Sequence, residues 1–444
     1  MPLFGTNGIR GIINETLEPE LGFKFGMAVA TYYENEDIAV AYDNRTTSEV
    51  FKNMVEAGIL NAGKNVVDLG IVPAPAAQIY CKVSRIPGVI VTASHNPPEF
   101  NGLKVISYDG SNPGRNEEER IEEIITRESF YRTTWDFMGK TRRDDAIRPY
   151  VEAILKNVSP NKVRSRRFRV LVDCANSTTS LTTPLILNKM GVRYVSLNSN
   201  LDGMFPGRNS EPTPDSLTDM INTARSGEFD LSVAHDGDGD RAFFLDEKGN
   251  PIDGDKFVAL IADHILESRK GNLVFPVASS FLIDRIAEKH GVKVIRTPVG
   301  TPVISDYLKK YDGIMGGEEN GKVVLPQHLN SGDGGLSLAL ILDLLSNTEQ
   351  RLSELISQMP DYKLRRLKIE NRADFESIKG KLKTHFSYMK PDEIDGLRLV
   401  QGDSFILLRK SGTEPAIRIF ISSLDDQWIK SREEEILGII SEKM

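Results

Sequence analysis

The sequence holds only two cysteines, Cys81 and Cys174, among 444 residues. That excludes a disulfide framework and a cysteine-rich zinc site. It also lacks an excess of positive charge, because 55 Lys and Arg against 63 Asp and Glu leave a formal charge of −8. A global basic field for nucleic acid is therefore absent, although a local cationic pocket is allowed. The longest apolar stretches, such as LSLALILDLL from Leu336, are too short to span a bilayer. The opening MPLFGTNGIRG lacks the basic-then-apolar pattern of a secretory signal. There is no low-complexity tract and no short-period repeat. The expectation is a soluble cytoplasmic protein, monomer or homodimer, with neither nucleic acid nor membrane as partner.

What the sequence does have is ordinary globular material, 40% hydrophobic and 27% charged, enough for several cores. At roughly 100–200 residues per domain, two to four domains fit the length. Strand and helix signals alternate along most of the chain. IAVAYD (38–43), NVVDLG (65–70) and GVIVTASHNP (88–97) read as strands, with a helix carrying Phe51, Met54, Val55 and Ile59 on one face and stopped at Gly63. A charged helix follows over about 116–127. Next come a strand at 169–176, a helix at 181–190, a strand at 192–198 and the buried strand LSVAH (231–235). RAFFLDEKGNPI reads as two strands joined by a turn at Lys248-Gly249-Asn250. A third block alternates helix and strand from 256 to 310, and a fourth is built differently, with RKSGTEP between two strands. The division is 1–146, 147–252, 253–360 and 361–444: three similar α/β domains and a smaller α+β C-terminal one.

Four loops carry candidate chemistry. TASHNPPEFNGLK (92–104) follows an apolar strand, so Ser94 sits at a strand end, where α/β proteins bind ligands. Activation of Ser94 by His95 is disfavoured, since neighbours in an extended chain point to opposite faces. In AHDGDGDR (234–241), Asp236, Asp238 and Asp240 alternate with Gly237 and Gly239, so three carboxylates can converge. Their mutual repulsion calls for a hard cation, Mg²⁺ or Ca²⁺. An EF-hand is rejected, because Arg241 stands where that loop needs Gly and the flanks read as strands. GGEENGK (316–322) nearly fits a nucleotide P-loop, but Val323 replaces the Ser or Thr that would hold Mg²⁺, and VVLP reads as a strand. Glu318 and Glu319 suit sugar hydroxyls better than phosphates. In RKSGTEPAIR (409–418), Arg409 offers a planar fork, Ser411 and Thr413 hydroxyls, and Gly412 a turn with N–H groups facing an anion. Together the loops supply a hydroxyl, a metal site, acids for hydroxyl groups and a phosphate cradle.

The set FGTNGIRG, TASHNPPEFNG, DGDGDR, GEENG and RKSGTEP, in this order, resembles the α-D-phosphohexomutase family, from Phe4 to Arg418. The family comprises phosphoglucomutases, phosphomannomutases and phosphoglucosamine mutases. The resemblance implies four domains around a central cleft. It implies phosphorylation of Ser94 and one Mg²⁺ per chain, held by Asp236, Asp238, Asp240 and a phosphate oxygen on Ser94. It places Arg10 and Lys104 by the reacting phosphoryl group, with His95 beside Ser94. Glu318 and Asn320 fall where the family contacts sugar hydroxyls, and Arg409, Ser411, Gly412 and Thr413 where it binds the non-reacting phosphate. Arg241, Lys322 and Arg418 join them as substrate-binding residues. The implied reaction interconverts hexose 1-phosphate and 6-phosphate through a hexose 1,6-bisphosphate, with phosphosugars as partners and broad glucose, mannose and glucosamine specificity. A dedicated phosphoglucosamine mutase and a Mg²⁺-dependent sugar phosphatase are the alternatives. Two departures stand out: many relatives carry Ser at 320 and His at 322.

Overall fold

The computed structural model describes residues 3–5, 8–370, 374–410 and 416–441. Ser411, Gly412 and Thr413, and Thr6 and Asn7 of FGTNGIRG, lie outside the described residues. The chain forms two compact units, Met1–Ile252 with Gly321–Leu355, and Asp253–Asn320 with Ile356–Met444.

The first unit is organised on two sheets. In one, the strands run in the spatial order Ile9–Ile12, Phe100–Ile106, Gly88–Val91, Asp37–Tyr42, Asn65–Ile71, Thr141–Arg143. Gly88–Val91 and Asn65–Ile71 flank Asp37–Tyr42 in parallel, and Phe100–Ile106 closes on Gly88–Val91 in antiparallel. Ile38, Ala39, Val40 and Ala41 are buried without alternation, as expected for a strand covered on both faces. Phe25, Val29, Phe51, Val55 and Ile59 from the helices Pro19–Tyr32 and Ser48–Asn61 fill one side of this core. The second sheet runs Ala242–Leu245, Leu231–His235, Arg169–Asp173, Arg193–Leu197. The apolar stretch from Leu336 lies in the helix Gly334–Ser346, buried from Gly334 to Leu345 and capped by Asp333, whose carboxylate accepts from the Leu336 N–H at 3.0 Å. A helix apolar all round belongs in a core, and among the described residues no helix is long and apolar enough to cross a membrane.

In the second unit, Asn272–Pro276 is flanked in parallel by Val294–Thr297 and Gly313–Gly317. Five antiparallel strands follow in the order Lys363–Glu370, Ala416–Ser423, Ser404–Lys410, Leu397–Gln401, Lys390–Asp392. One face of that sheet is covered by the helices Phe375–His385 and Asp426–Ser441. On the other, Phe405, Leu407 and Phe420 pack against Val277, Ala278 and Phe281.

Three local readings change. The strand expected over 88–97 ends at Val91, and the chain re-enters the same sheet at Phe100, inside the stretch read as loop. The second strand of RAFFLDEKGNPI is a single bridge, Leu245 to Pro251, since Pro251 has no N–H to continue a ladder. The helix Ala74–Ser84, with prolines before and inside its first turn, was not expected at all.

Candidate active site

Ser94 lies just past the strand Gly88–Val91 and is 3% exposed. Its backbone is left-handed, φ 55°, a conformation that costs a non-glycine residue on the order of 1 kcal/mol and persists only where the surroundings impose it. The imposing group is Arg45. Its Nη2 donates to the carbonyls of Ser94 (2.8 Å) and Asn96 (2.7 Å), and its Nη1 to those of Pro97 (2.6 Å) and Phe100 (3.1 Å). Its Nε donates to Asp43 at 3.0 Å, and the guanidinium lies 5.0 Å from the Phe205 ring centroid. Sequence reasoning missed Arg45. The available signal was a charged pair, Asp43 and Arg45, directly after a strand with the apolar centre IAVA.

The bend at Ser94 corrects the argument against His95. Because Ser94 is not extended, His95 Nδ1 comes to 3.4 Å from Ser94 Oγ. The contact is long for proton transfer. Burial, then Arg241 and Arg10, push His95 down to about 3, so the ring is neutral at physiological pH. The Ser94 hydroxyl donates instead to Asp238 Oδ1 at 2.7 Å.

Asp238 belongs to the trio the sequence picked out. The strand Leu231–His235, buried throughout, delivers Asp236, Asp238 and Asp240 into the interior, and one oxygen from each lies within 4.8 Å of the others. Gly239 makes the turn with φ 74°. Each carboxylate has a cationic partner. Lys104 Nζ is 2.6 Å from Asp238 Oδ2, Lys322 Nζ 2.9 Å from Asp240 Oδ2, and Arg241 Nε 3.0 Å from Asp236 Oδ2. Burial opposes the charge on Asp240, but Lys322, Arg241 and Lys104 outweigh it and hold that carboxyl well below the usual range. Burial and Asp240 push Asp236 up to about 8. Asp240 Oδ1 is buried and accepts no hydrogen bond from the described residues. Such an orphaned oxygen within an all-oxygen donor set fits a hard divalent cation, so the trio could hold a metal ion.

Two further expected residues reach the same place. Arg10, on the strand Ile9–Ile12, pairs in register with Gly102, two residues before Lys104 on the neighbouring strand. It donates to Asn96 Oδ1 at 2.9 Å, and Asp238 and Asp240 act on its charge. Arg241 Nη2 is buried with no hydrogen-bond partner among the described residues. Arg10, Ser94, His95, Lys104, the three aspartates, Arg241 and Lys322 thus gather in the first unit.

The second unit holds the other candidates. Glu318 is buried and accepts from the Thr301 hydroxyl at 2.8 Å, while Asn320 is exposed. Burial and Glu318 raise Glu319. Arg409 and Arg418 face each other across adjacent strands, and Lys368 stands opposite Arg418 on the next. Like charges directly opposite destabilise a sheet unless they are offset, and a row of three cations could hold an anion. Arg409 is steadied by Asp395 at 2.9 Å. Lys368 was not expected from the sequence. It alternates with Leu367 and Ile369, which pack into the opposite face, and only strand register reveals its neighbours.

Comparison with known proteins gives a consistent result. Models of phosphoglucomutase/phosphomannomutase alpha/beta/alpha domains I, II and III match residues 1–132, 148–249 and 253–362, and that of the C-terminal domain matches 364–439. A phosphoglucomutase/phosphomannomutase of Thermococcus kodakarensis is 39% identical over 98% of this chain and 97% of its own. A phosphoglucosamine/phosphogalactosamine mutase of Sulfurisphaera tokodaii is 36% identical over 99% of both. The crystal structure of a phosphoglucomutase/phosphomannomutase family protein from Burkholderia thailandensis shares the fold, with TM-score 0.90 at 23% identity over 99% of this chain and 96% of that one.

Proposed function

The chain belongs to the phosphoglucomutase/phosphomannomutase family of α-D-phosphohexomutases, and from that premise we propose that it interconverts hexose 1-phosphates and 6-phosphates with Ser94 as the phosphoryl carrier. Phosphomutase activity is common to its relatives, and isomerisation by internal phosphate transfer is the reaction class. The observation that carries the role of Ser94 is its hydroxyl, 2.7 Å from a carboxylate of the aspartate trio at a strand end.

In this reading phospho-Ser94 gives its phosphoryl group to the free hydroxyl of a bound sugar phosphate. The P–O bond to Ser94 breaks as the P–O bond to the sugar forms, and a hexose 1,6-bisphosphate results. The sugar hydroxyl loses its proton as it attacks, and Ser94 Oγ gains one as its bond to phosphorus breaks; Ser94 Oγ gives that proton up again when it takes the phosphoryl group from the other end of the bisphosphate, and the sugar oxygen released there gains it. Asp236, Asp238 and Asp240 would hold Mg²⁺, which supplies charge withdrawal from the transferring group. Arg10 and Lys104 balance charge on the equatorial oxygens, where positioned cations are most effective. Lys104, bonded to the same Asp238 carboxylate as the Ser94 hydroxyl, is the group that gives and takes protons there, and neutral His95 stands further off, at 3.4 Å from Ser94 Oγ.

A mutase needs a second phosphate site that a phosphatase does not. The cationic row Lys368, Arg418 and Arg409 supports that site, and Ser411, Gly412 and Thr413 follow Arg409 closely in the sequence. Glu318 and Asn320 contact sugar hydroxyls. The names of the relatives span glucose, mannose and glucosamine phosphates, which favours broad specificity over a dedicated phosphoglucosamine mutase. The test is ³¹P NMR with Mg²⁺ and a trace of hexose 1,6-bisphosphate, offering glucose, mannose and glucosamine 1-phosphates separately. A 6-phosphate should form without inorganic phosphate, and Ser94→Ala should abolish it. Release of inorganic phosphate alone, or turnover retained by Ser94→Ala, overturns the assignment.

A further inference from the structure

Each aspartate of the trio has one oxygen tied to a cationic side chain, and Lys322 makes the tie to Asp240 from 82 residues further along the chain. Its Nζ lies 2.9 Å from Asp240 Oδ2, while Asp240 Oδ1 stays buried with no hydrogen bond from the described residues, 3.6 Å from Arg241 Nε. The pose is built into the fold. Lys322 is 7% exposed, and a Cβ added at Gly332 would come within 2.6 Å of both Lys322 Cγ and Cδ, so the stem lies in a channel that only glycine leaves open. Lys104 and Arg241 hold Asp238 and Asp236 by their Oδ2 atoms in the same way.

Mg²⁺ and Ca²⁺ place different demands on such a carboxylate. Mg²⁺ takes six oxygens at about 2.0–2.1 Å in near-octahedral geometry, whereas Ca²⁺ takes six to eight at about 2.3–2.6 Å and accepts both oxygens of one carboxylate. A two-oxygen grip on Asp240 would require Oδ2, which the Lys322 ammonium occupies. Resting on the metal-site reading above, we propose that Lys322 is a positioning residue that keeps Asp240 a one-oxygen ligand and thereby biases the loop towards Mg²⁺ and against Ca²⁺. The departure from His to Lys at this position then concerns ion choice and not only the sugar. Lys322 is the tie best suited to test, because Lys104 stands beside the reacting group and Arg241 belongs to the acidic loop itself.

The experiment is calorimetric titration of the full-length wild type, Lys322→Met and Lys322→Arg with Mg²⁺ and with Ca²⁺. Removing a positive charge tightens binding of both divalent ions alike, so the ratio of their dissociation constants isolates the geometric effect. In Lys322→Met the preference for Mg²⁺ over Ca²⁺ should fall by about tenfold, the scale on which groups behind the ligands tune metal sites. Lys322→Arg, which can still hold Oδ2, should keep the wild-type ratio. Lys322→Leu serves in place of the Met variant if that does not fold. Both affinities rising together with an unchanged ratio would overturn the inference and leave the metal site standing. Absence of divalent binding by the wild type would overturn both.

Discussion

Gly237 sets how closely the serine loop and the acidic loop can approach. A Cβ added there would lie 2.4 Å from the Ser94 carbonyl oxygen and 3.2 Å from Ser210 Cβ. Its φ is not left-handed, so Gly237→Ala acts by contact alone. Non-bonded heavy atoms rest at about 3.5 Å or beyond, so one loop must retreat by about 1 Å. The Ser94 carbonyl is fixed by Arg45, and the Gly237 carbonyl accepts a short hydrogen bond from the Ser177 hydroxyl. The displacement therefore falls on the bond between Ser94 Oγ and Asp238, which opens from 2.7 Å. Overpacking of this kind costs about 1–3 kcal/mol of stability. A misplacement of about 1 Å at reacting groups costs about 10²-fold in rate. Coupled turnover of glucose 1-phosphate with Mg²⁺ reads the second quantity and urea unfolding the first. Gly380→Ala is the control: it sits in the helix Phe375–His385 with nothing within 4 Å of an added Cβ, so it should leave turnover unchanged and gain about 0.5–1 kcal/mol. A Gly237→Ala enzyme with the parent kcat would refute the reasoning.

Two further outcomes follow from buried charges. Arg45→Ala removes five hydrogen bonds and leaves Asp43 uncompensated at 1% exposure; we expect a loss of about 3–5 kcal/mol in chemical unfolding, together with loss of turnover as Ser94 relaxes, and full stability in that variant would contradict the role given to this fork. Asp255 is pushed up from 3.8 to about 7 by burial, then by Glu319 and Asp253, so between these values the folded chain keeps a proton that the unfolded chain has lost, and stability falls as pH rises through that window. Asp255→Asn should therefore gain stability over the parent at pH 8 relative to pH 4, read from urea midpoints at both; an equal difference at the two pH values would count against it.

The sequence was most legible where chemistry is local. Asp236, Asp238 and Asp240 sit within five residues with glycines between them, so their convergence needed no tertiary information. Asp37–Tyr42 and Leu231–His235 were readable because strands buried on both faces become mostly apolar runs without alternation. The strand Phe100–Ile106 was hidden by the residues the site needs: Asn101, Gly102 and Lys104 lower its β signal, yet all three are buried. The approach of His95 to Ser94 depended on one left-handed residue, and that conformation is imposed by Arg45 from 49 residues away in sequence. Lys368 joined the row with Arg418 and Arg409 only through cross-strand register, which alternation alone does not supply.

The first unit is made of two stretches, 1–252 and 321–355, and this bears on how the protein is made. A ribosome that has released residue 252 has produced the acidic loop together with Lys104 and Arg241, but not Lys322. The helix Gly334–Ser346 and its cap Asp333, which accepts from Tyr150 at 2.7 Å, also have yet to emerge. Until they do, the apolar seat of that helix is open to solvent and to other nascent chains, the condition that invites aggregation and chaperone binding during synthesis. The segment 253–320 must be translated in between, so its length sets the interval of exposure. Slow codons within that segment would prolong the risk, whereas the same pause after residue 355 would fall on a unit whose chain is already whole.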